Sequence, residues 1–394
     1  MWALVILMVA SGLGAADIIP DPSFDGDGLT TTKIGAGRDE ARAIAVQDDG
    51  KIIVAGQSGD PDNSEMAVIR YLPDGTIDSE FSFIGGSLIG NGFGSDGVRA
   101  IQLDPDGRIV LGGYATENFV TYGALVRLLD DGRLDYNFGE QGVVLFSDHE
   151  SDFFDIELAA DNQVVVIGST GSGDERTPLI ARFAPDGSLD ESFGDSGFHI
   201  YPDVQGELHG LAEIQGEGLV AGGYALDDQQ KKQLLLLRLT DDGSIDETFA
   251  DQGLLSVNDV DSEIDVHDVN VLPDGRLVAV GETIADDGLS SIMVSRFLAD
   301  GSPDTGLSET GILHYDIGEE SRAYGVSVLD DGVILATGYR QDSGDKNTVI
   351  LRLESLGNKL REIDLAELSD VSAELGEEVT EILKISALQI EDGS

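Results

Sequence analysis

Six copies of one unit, each about 54–59 residues long, run through this chain, and a repeat of that period constrains the fold before any single residue is weighed. Every copy carries a strand–turn–strand segment: DDGKIIVAG from Asp48, PDGRIVLGG from Pro105, DNQVVVIGS from Asp161, QGEGLVAGG from Gln215, PDGRLVAVG from Pro273 and DDGVILATG from Asp330. An apolar strand with one arginine follows, at Arg70, Arg127, Arg182, Arg238, Arg296 and Arg352, and then another turn. Short apolar runs joined by Asp-Gly turns read as antiparallel hairpins. In copy one, strands are expected at GLTTTKI from Gly28, ARAIAV from Ala41, KIIVAG from Lys51 and MAVIRYL from Met66. A lone four-stranded blade leaves its faces in water, so the repeats predict an all-β fold, a six-bladed β-propeller of four-stranded antiparallel blades over residues 17–360.

An aspartate turn ending in Phe-Gly (LDESFG), a Gly-Val strand, a PDGRIVLGG hairpin and an Arg strand running into PDGSLD recur in order. This succession resembles the delta-60 repeat family of bacterial secreted proteins, over roughly residues 20–360. The resemblance implies a β-propeller of unassigned biochemical role.

The flanks differ from the repeats. Residues 1–16, MWALVILMVASGLGAA, form an apolar run ending in small residues and read as a signal peptide. The run is shorter than the ~20 residues a spanning helix needs, so export without stable membrane insertion is expected, to the periplasm or the exterior. Residues 361–394 have an acidic amphipathic composition, a short helical or mixed tail that packs on the repeats or meets another subunit. With no cysteine, the chain has no disulfide and no thiolate metal site. Its 75 acidic residues against 23 Lys and Arg give a formal net charge of −52, which repels nucleic acid and anionic lipid.

Two repeated features have structural explanations. The arginine of each copy, with Asp78, Asp135, Asp190, Asp246 or Asp304 eight residues on, reads as a structural ion pair, since equivalent active sites in every blade are implausible. Asp25-Gly26-Asp27-Gly28 opens like a calcium loop, but Ala36 stands where the twelfth-position carboxylate belongs. The last copy has Leu360 in place of the aspartate, while Asp21-Pro22-Ser23-Phe24 matches the aspartate turn. Residues 21–34 are therefore expected to complete the sixth blade, with KLREIDL from Lys359 as the competing closing strand.

Differences between copies point to function, because scaffolds carry function on their loops. Long connections such as VNDVDSEID and ALDDQQKK make one face acidic, suited to a protein or glycan partner or to divalent cations. Alternation along the first strand of each hairpin places Asp155, Glu157, Asp268 and Asn270 toward a central channel, an oxygen set suited to Ca²⁺. Arg42, Arg99, Phe154, His209, His267 and Tyr324 fall at the start of these strands, a mixed basic and aromatic ring that is the candidate site for an organic ligand. The favoured reading is a secreted, non-enzymatic binding or adhesion scaffold. The alternative is a Ca-dependent, lactonase-like hydrolase using Asp155, Asp268 and His267 at the channel mouth.

Overall fold

The structure, a computed structural model, describes residues 21–360 apart from 27, 36, 61, 84, 91–93, 215, 259–261, 330–331, 343–344, 354 and 357–358. The signal-peptide and tail assignments lie outside the described residues. The repeats form the blades of a six-bladed β-propeller, five of four antiparallel strands and one of three. The blades fall into two compact units, one ending at Leu208 and the other starting at His209.

The first unit holds three blades. Blade 1 comprises Arg38–Val46, Ile52–Asp60, Asn63–Tyr71 and Gly86–Ile89. Blade 2 comprises Gly97–Leu103, Ile109–Glu117, Val120–Leu128 and Val143–Leu145, and blade 3 Ser151–Leu158, Val164–Thr170, Thr177–Phe183 and Phe198–Ile200. The second unit holds most of blade 4 (Gly206–Ile214, Gly218–Leu226, Lys232–Leu239, Leu254–Val257) and blade 5 (Ser262–Val271, Leu277–Ala285, Ser290–Phe297, Ile312–Tyr315). It also holds blade 6 (Glu320–Val328, Ile334–Asp342, Asp345–Leu353).

The outermost strand of each four-stranded blade follows its Arg strand, so the sequence's phase needs one correction. Gly86–Ile89 is the fourth strand of blade 1. Residues 28–34 form no strand, and among the described residues blade 6 has no fourth strand. The segment nonetheless has a repeat-like role. Phe24 packs on Ile52, Val54, Ile69 and Tyr71, and the Asp25 amide donates to the Asp74 carbonyl at 2.7 Å. Ser82 to Asp131, Gly139 to Asp186 and Ala250 to Asp300 repeat that bond between consecutive blades. Residues 21–25 thus supply blade 1 with the hook that an aspartate turn lends the next blade elsewhere.

Within each unit the packing between blades is apolar. Val68, Val98, Leu111 and Val126 share one cluster, while Leu125, Phe153, Ile156 and Val166 share the next. In the second unit Val266, Val269, Leu236 and Met293 join blades 4 and 5, and Val280, Ala323 and Ile334 join blades 5 and 6. Each fully buried aliphatic side chain contributes about 1.5–3 kcal/mol, so alternation of apolar residues on every strand drives the stacking. Ile44 and Val46 follow the same alternation but are 42% and 53% exposed.

The arginine–aspartate pairs are structural. Arg70, Arg127, Arg182, Arg238 and Arg296 each reach the aspartate eight residues on, at 2.6–3.0 Å through Nε. The guanidinium groups of Arg70, Arg127 and Arg182 lie over Phe81, Phe138 and Phe193 at 4.5–4.6 Å. Arg70, Arg127 and Arg238 also donate to the carbonyls of Asp130, Pro185 and Ala299 in the next blade's turn. One side chain therefore ties its own turn to its neighbour's.

Candidate functional site

The first strand of blades 1, 2, 3, 5 and 6 carries a one-residue β-bulge. Pairing steps from Ala41 to Ala43, Val98 to Ala100, Phe153 to Asp155, Val266 to Asp268 and Ala323 to Gly325, so that the register skips Arg42, Arg99, Phe154, His267 and Tyr324. A bulge re-aims the extra side chain out of the ladder's alternation. The glycine opposite is what permits it. A Cβ on Gly56, Gly113, Gly168, Gly281 or Gly338 would meet the carbonyl oxygen two residues before the bulge at 1.8–2.0 Å. The repeated final glycine of the hairpin motif is thus a requirement of close backbone approach rather than of turn geometry.

In the first unit, Arg99 lies over Phe154 at 4.4 Å and over Tyr114 at 5.1 Å, and its Nε donates to Asp152 at 3.0 Å. Arg42 pairs with Glu40 at 2.7 Å. The second unit brings His209, His267 and Tyr324 into one row: the imidazoles are 5.8 Å apart, and His267 meets Tyr324 edge-on at 5.0 Å. Tyr339 extends the row at 5.9 Å from Tyr324, and Tyr224 flanks His209 at 5.7 Å. Tyr324 is 49% exposed, an open aromatic face beside buried charge.

That charge comes from residues the sequence reading did not select. Asp265, two positions before the bulge, takes the Lys232 Nζ on one oxygen at 2.5 Å and lies 3.3 Å from His209 through the other. Glu282, directly after Gly281, lies 3.6 Å from His267 Nε2 and 2.8 Å from Arg322 Nε. Arg322 also reaches Glu320 at 2.8 Å, and the Tyr339 hydroxyl donates to Glu320 at 2.8 Å. Burial opposes ionisation of Asp265, but His209, His267 and Lys232 together outweigh it and hold the carboxyl well below the usual range. The signal was positional: Gln57, Tyr114, Ser169, Tyr224, Glu282 and Tyr339 follow the bulge glycine or stand at its equivalent, and Glu40, Asp152, Asp265 and Arg322 sit two residues before the bulge.

Three of the channel quartet are engaged with backbone amides and Glu157 with a side chain. In the first unit, Asp155 Oδ1 accepts the Ile156 amide at 2.9 Å, and Glu157 accepts from Gln102 at 3.2 Å. In the second, Asp268 accepts the amides of Val269 at 2.8 Å and Val326 at 2.7 Å, while Asn270 accepts the Val271 amide. Asp268 therefore links blade 5 to blade 6. Among the described residues, the acids and histidine that converge within 4.8 Å are instead Asp265, His267 and Glu282.

Burial pushes the Asp268 carboxyl up to about 6 despite its two amide donors. A raised native pKa means the folded state holds the proton more tightly than the unfolded state, whose value is 3.8. The associated stability is complete below pH 4 and is lost as pH rises through about 6. Asp265, shifted downward, contributes the opposite slope at lower pH. Between pH 4 and 7 the wild type is expected to lose on the order of 2–3 kcal/mol relative to Asp268→Asn. Urea melts of both proteins at stepped pH check this, and parallel pH profiles would refute it.

Among the described residues, no helix is long and apolar enough to cross a membrane. No curated protein matches the chain. Similar solved structures include a protein of unknown function from Dyadobacter fermentans (12% identity, 81% of this chain and 97% of that one, TM-score 0.45). A catalytically inactive virginiamycin B lyase from Staphylococcus aureus with quinupristin shares 12% identity over 79% of this chain and 83% of that one, with a TM-score of 0.41. A gluconolactonase from Xanthomonas campestris shares 13% over 79% and 85%, with a TM-score of 0.42. The family model described as a domain of unknown function (DUF5122) beta-propeller matches residues 47–81, 105–138, 159–193, 219–249 and 272–307. Each matched segment spans a hairpin, the Arg strand and the aspartate turn, the same parts that make the blades and their ion pairs, and the chain is a β-propeller repeat protein.

Proposed function

We propose that this propeller is an exported, non-enzymatic binding module that takes a polyhydroxylated ligand, such as a glycan, on the bulge row of blades 4–6. The observation that carries the reading is the half-exposed Tyr324 ring set between His267 and Tyr339, with Glu320 and Arg322 nearby and Lys232 over Tyr224 farther along the row. An aromatic face covers the apolar side of a sugar ring, and nearby charged forks exchange hydrogen bonds with its hydroxyls. Asp265 held ionised suits an acceptor more than a proton donor at neutral pH. The apolar run at 1–16 and the formal charge of −52 support export in a hydrated, soluble form.

The convergence of Asp265, His267 and Glu282 favours a second reading, a metal-assisted hydrolase at the same row. Glycan-array binding followed by calorimetry decides between them. Tyr324→Ala is expected to weaken binding of the selected glycan about tenfold or more with an unchanged melting temperature, and the glycan should be recovered intact. Equal binding by wild type and Tyr324→Ala would refute the first reading, and turnover of the ligand would establish the second.

A further inference from the structure

Four buried polar atoms in the second unit lack hydrogen-bond partners and lie in one place: Asp265 Oδ1, His267 Nε2, Glu282 Oε2 and Arg322 Nε. Buried polar atoms are almost always satisfied. Glu282 Oε2 and Arg322 Nε face each other as an ion pair, so the unmet hydrogen-bonding capacity rests on Asp265 Oδ1 and His267 Nε2. The cause of each is visible. His209 Nδ1 lies 2.9 Å from the Val266 carbonyl and 3.3 Å from Asp265 Oδ1, so its N–H is directed to the carbonyl more than to the carboxylate. Lys232 takes the other Asp265 oxygen. His267 Nε2 stands 3.6 Å from Glu282 Oε1, too far for a hydrogen bond. Arg322 Nε approaches Glu282 at 2.8 Å without hydrogen-bond alignment.

We infer that Asp265, His267 and Glu282 form a binding site for a borderline first-row divalent ion of the Zn²⁺ type. Ligand atoms at ~2.1 Å from a tetrahedral ion stand about 3.4 Å apart, close to the His267–Glu282 separation, and all three donors already lie within 4.8 Å of one another. One imidazole with two carboxylates suits such an ion better than Ca²⁺, which takes six to eight oxygens. The carboxylates are 6% and 3% exposed, so the donors are held in a dry wall. Lys232 and Arg322 engage or face the carboxylates from outside the triad and orient them, as outer-sphere groups do. Their positive charge also disfavours cations bound by electrostatics alone, leaving ions that gain from the imidazole nitrogen. The bulge is essential, because it turns His267 away from its place in the ladder toward Glu282 of the neighbouring strand.

This site shares the bulge row with the glycan reading and deepens the metal reading made there, and its test does not use a glycan. Metal-free protein is titrated with Co²⁺, whose visible spectrum reports tetrahedral nitrogen–oxygen coordination, and with Zn²⁺ in competition. One ion per chain is expected, with Zn²⁺ displacing Co²⁺ and raising the melting temperature. His267→Ala and Glu282→Gln should each weaken the ion about tenfold or more, whereas His199→Ala should bind as wild type. If Glu282→Gln fails to fold, His267→Ala alone decides, since its side chain is partly exposed. Absence of saturable Co²⁺ binding, or undiminished binding by folded His267→Ala, overturns the site.

Discussion

Replacing Arg127 with alanine is expected to destabilise the propeller by about 3–5 kcal/mol, the usual cost of breaking one side of a buried ion pair. Three losses coincide at this side chain. Its Nε and terminal nitrogen leave Asp135 at 2.9 Å, its guanidinium leaves the face of Phe138, and the Pro185 carbonyl loses its donor. Arg127 and Asp135 side chains are 5% and 3% exposed, so water cannot readily replace what is removed. Arg133 makes an ion pair of similar length with Asp131, but its side chain is 59% exposed. Arg133→Ala should therefore leave the urea midpoint unchanged. A functional rather than structural arginine would show the reverse: a stable Arg127→Ala with a lost activity. Equal midpoints for wild type and Arg127→Ala would end the structural account.

Gly281→Ala is the second large effect, about 3 kcal/mol of overpacking, because the new methyl would stand 1.9 Å from the Asp265 carbonyl oxygen. The obstacle is rigid backbone, not a side chain able to swing aside. Relief requires straightening the bulge, which would return His267 to ordinary ladder alternation and pull Asp265 away from Glu282. Co²⁺ binding should then fall together with stability. A Gly281→Ala protein that melts with the wild type and binds Co²⁺ equally would show that the bulge does not aim the row.

The hairpin glycines, the Arg strands and the aspartate turns are local signals. Each acts through neighbours a few residues away, and repetition multiplies the evidence. Blade number, the hairpin strands and the pairs from Arg70–Asp78 to Arg296–Asp304 were legible for that reason. The bulge was not, since it leaves no special residue on its own strand: Arg42, Arg99, Phe154, His267 and Tyr324 share a position but no chemistry. Its trace is the glycine on the next strand, which has an ordinary φ and gives no turn signal.

The one-residue bulge also explains how the channel reading met the backbone. Alternation counted from the turn glycine selected Asp268 and Asn270, and both side chains are spent on amides of their own strand or the next blade. Sequence alone determined that this chain is a β-propeller built from six repeats, because hydrophobic alternation and turn chemistry are properties of contiguous residues. Only the tertiary structure decided that Asp265, His267, Glu282 and Arg322 meet. Their meeting depends on where separate strands bring their backbones close enough for a glycine to be compulsory, and contacts across blades leave no period in the sequence.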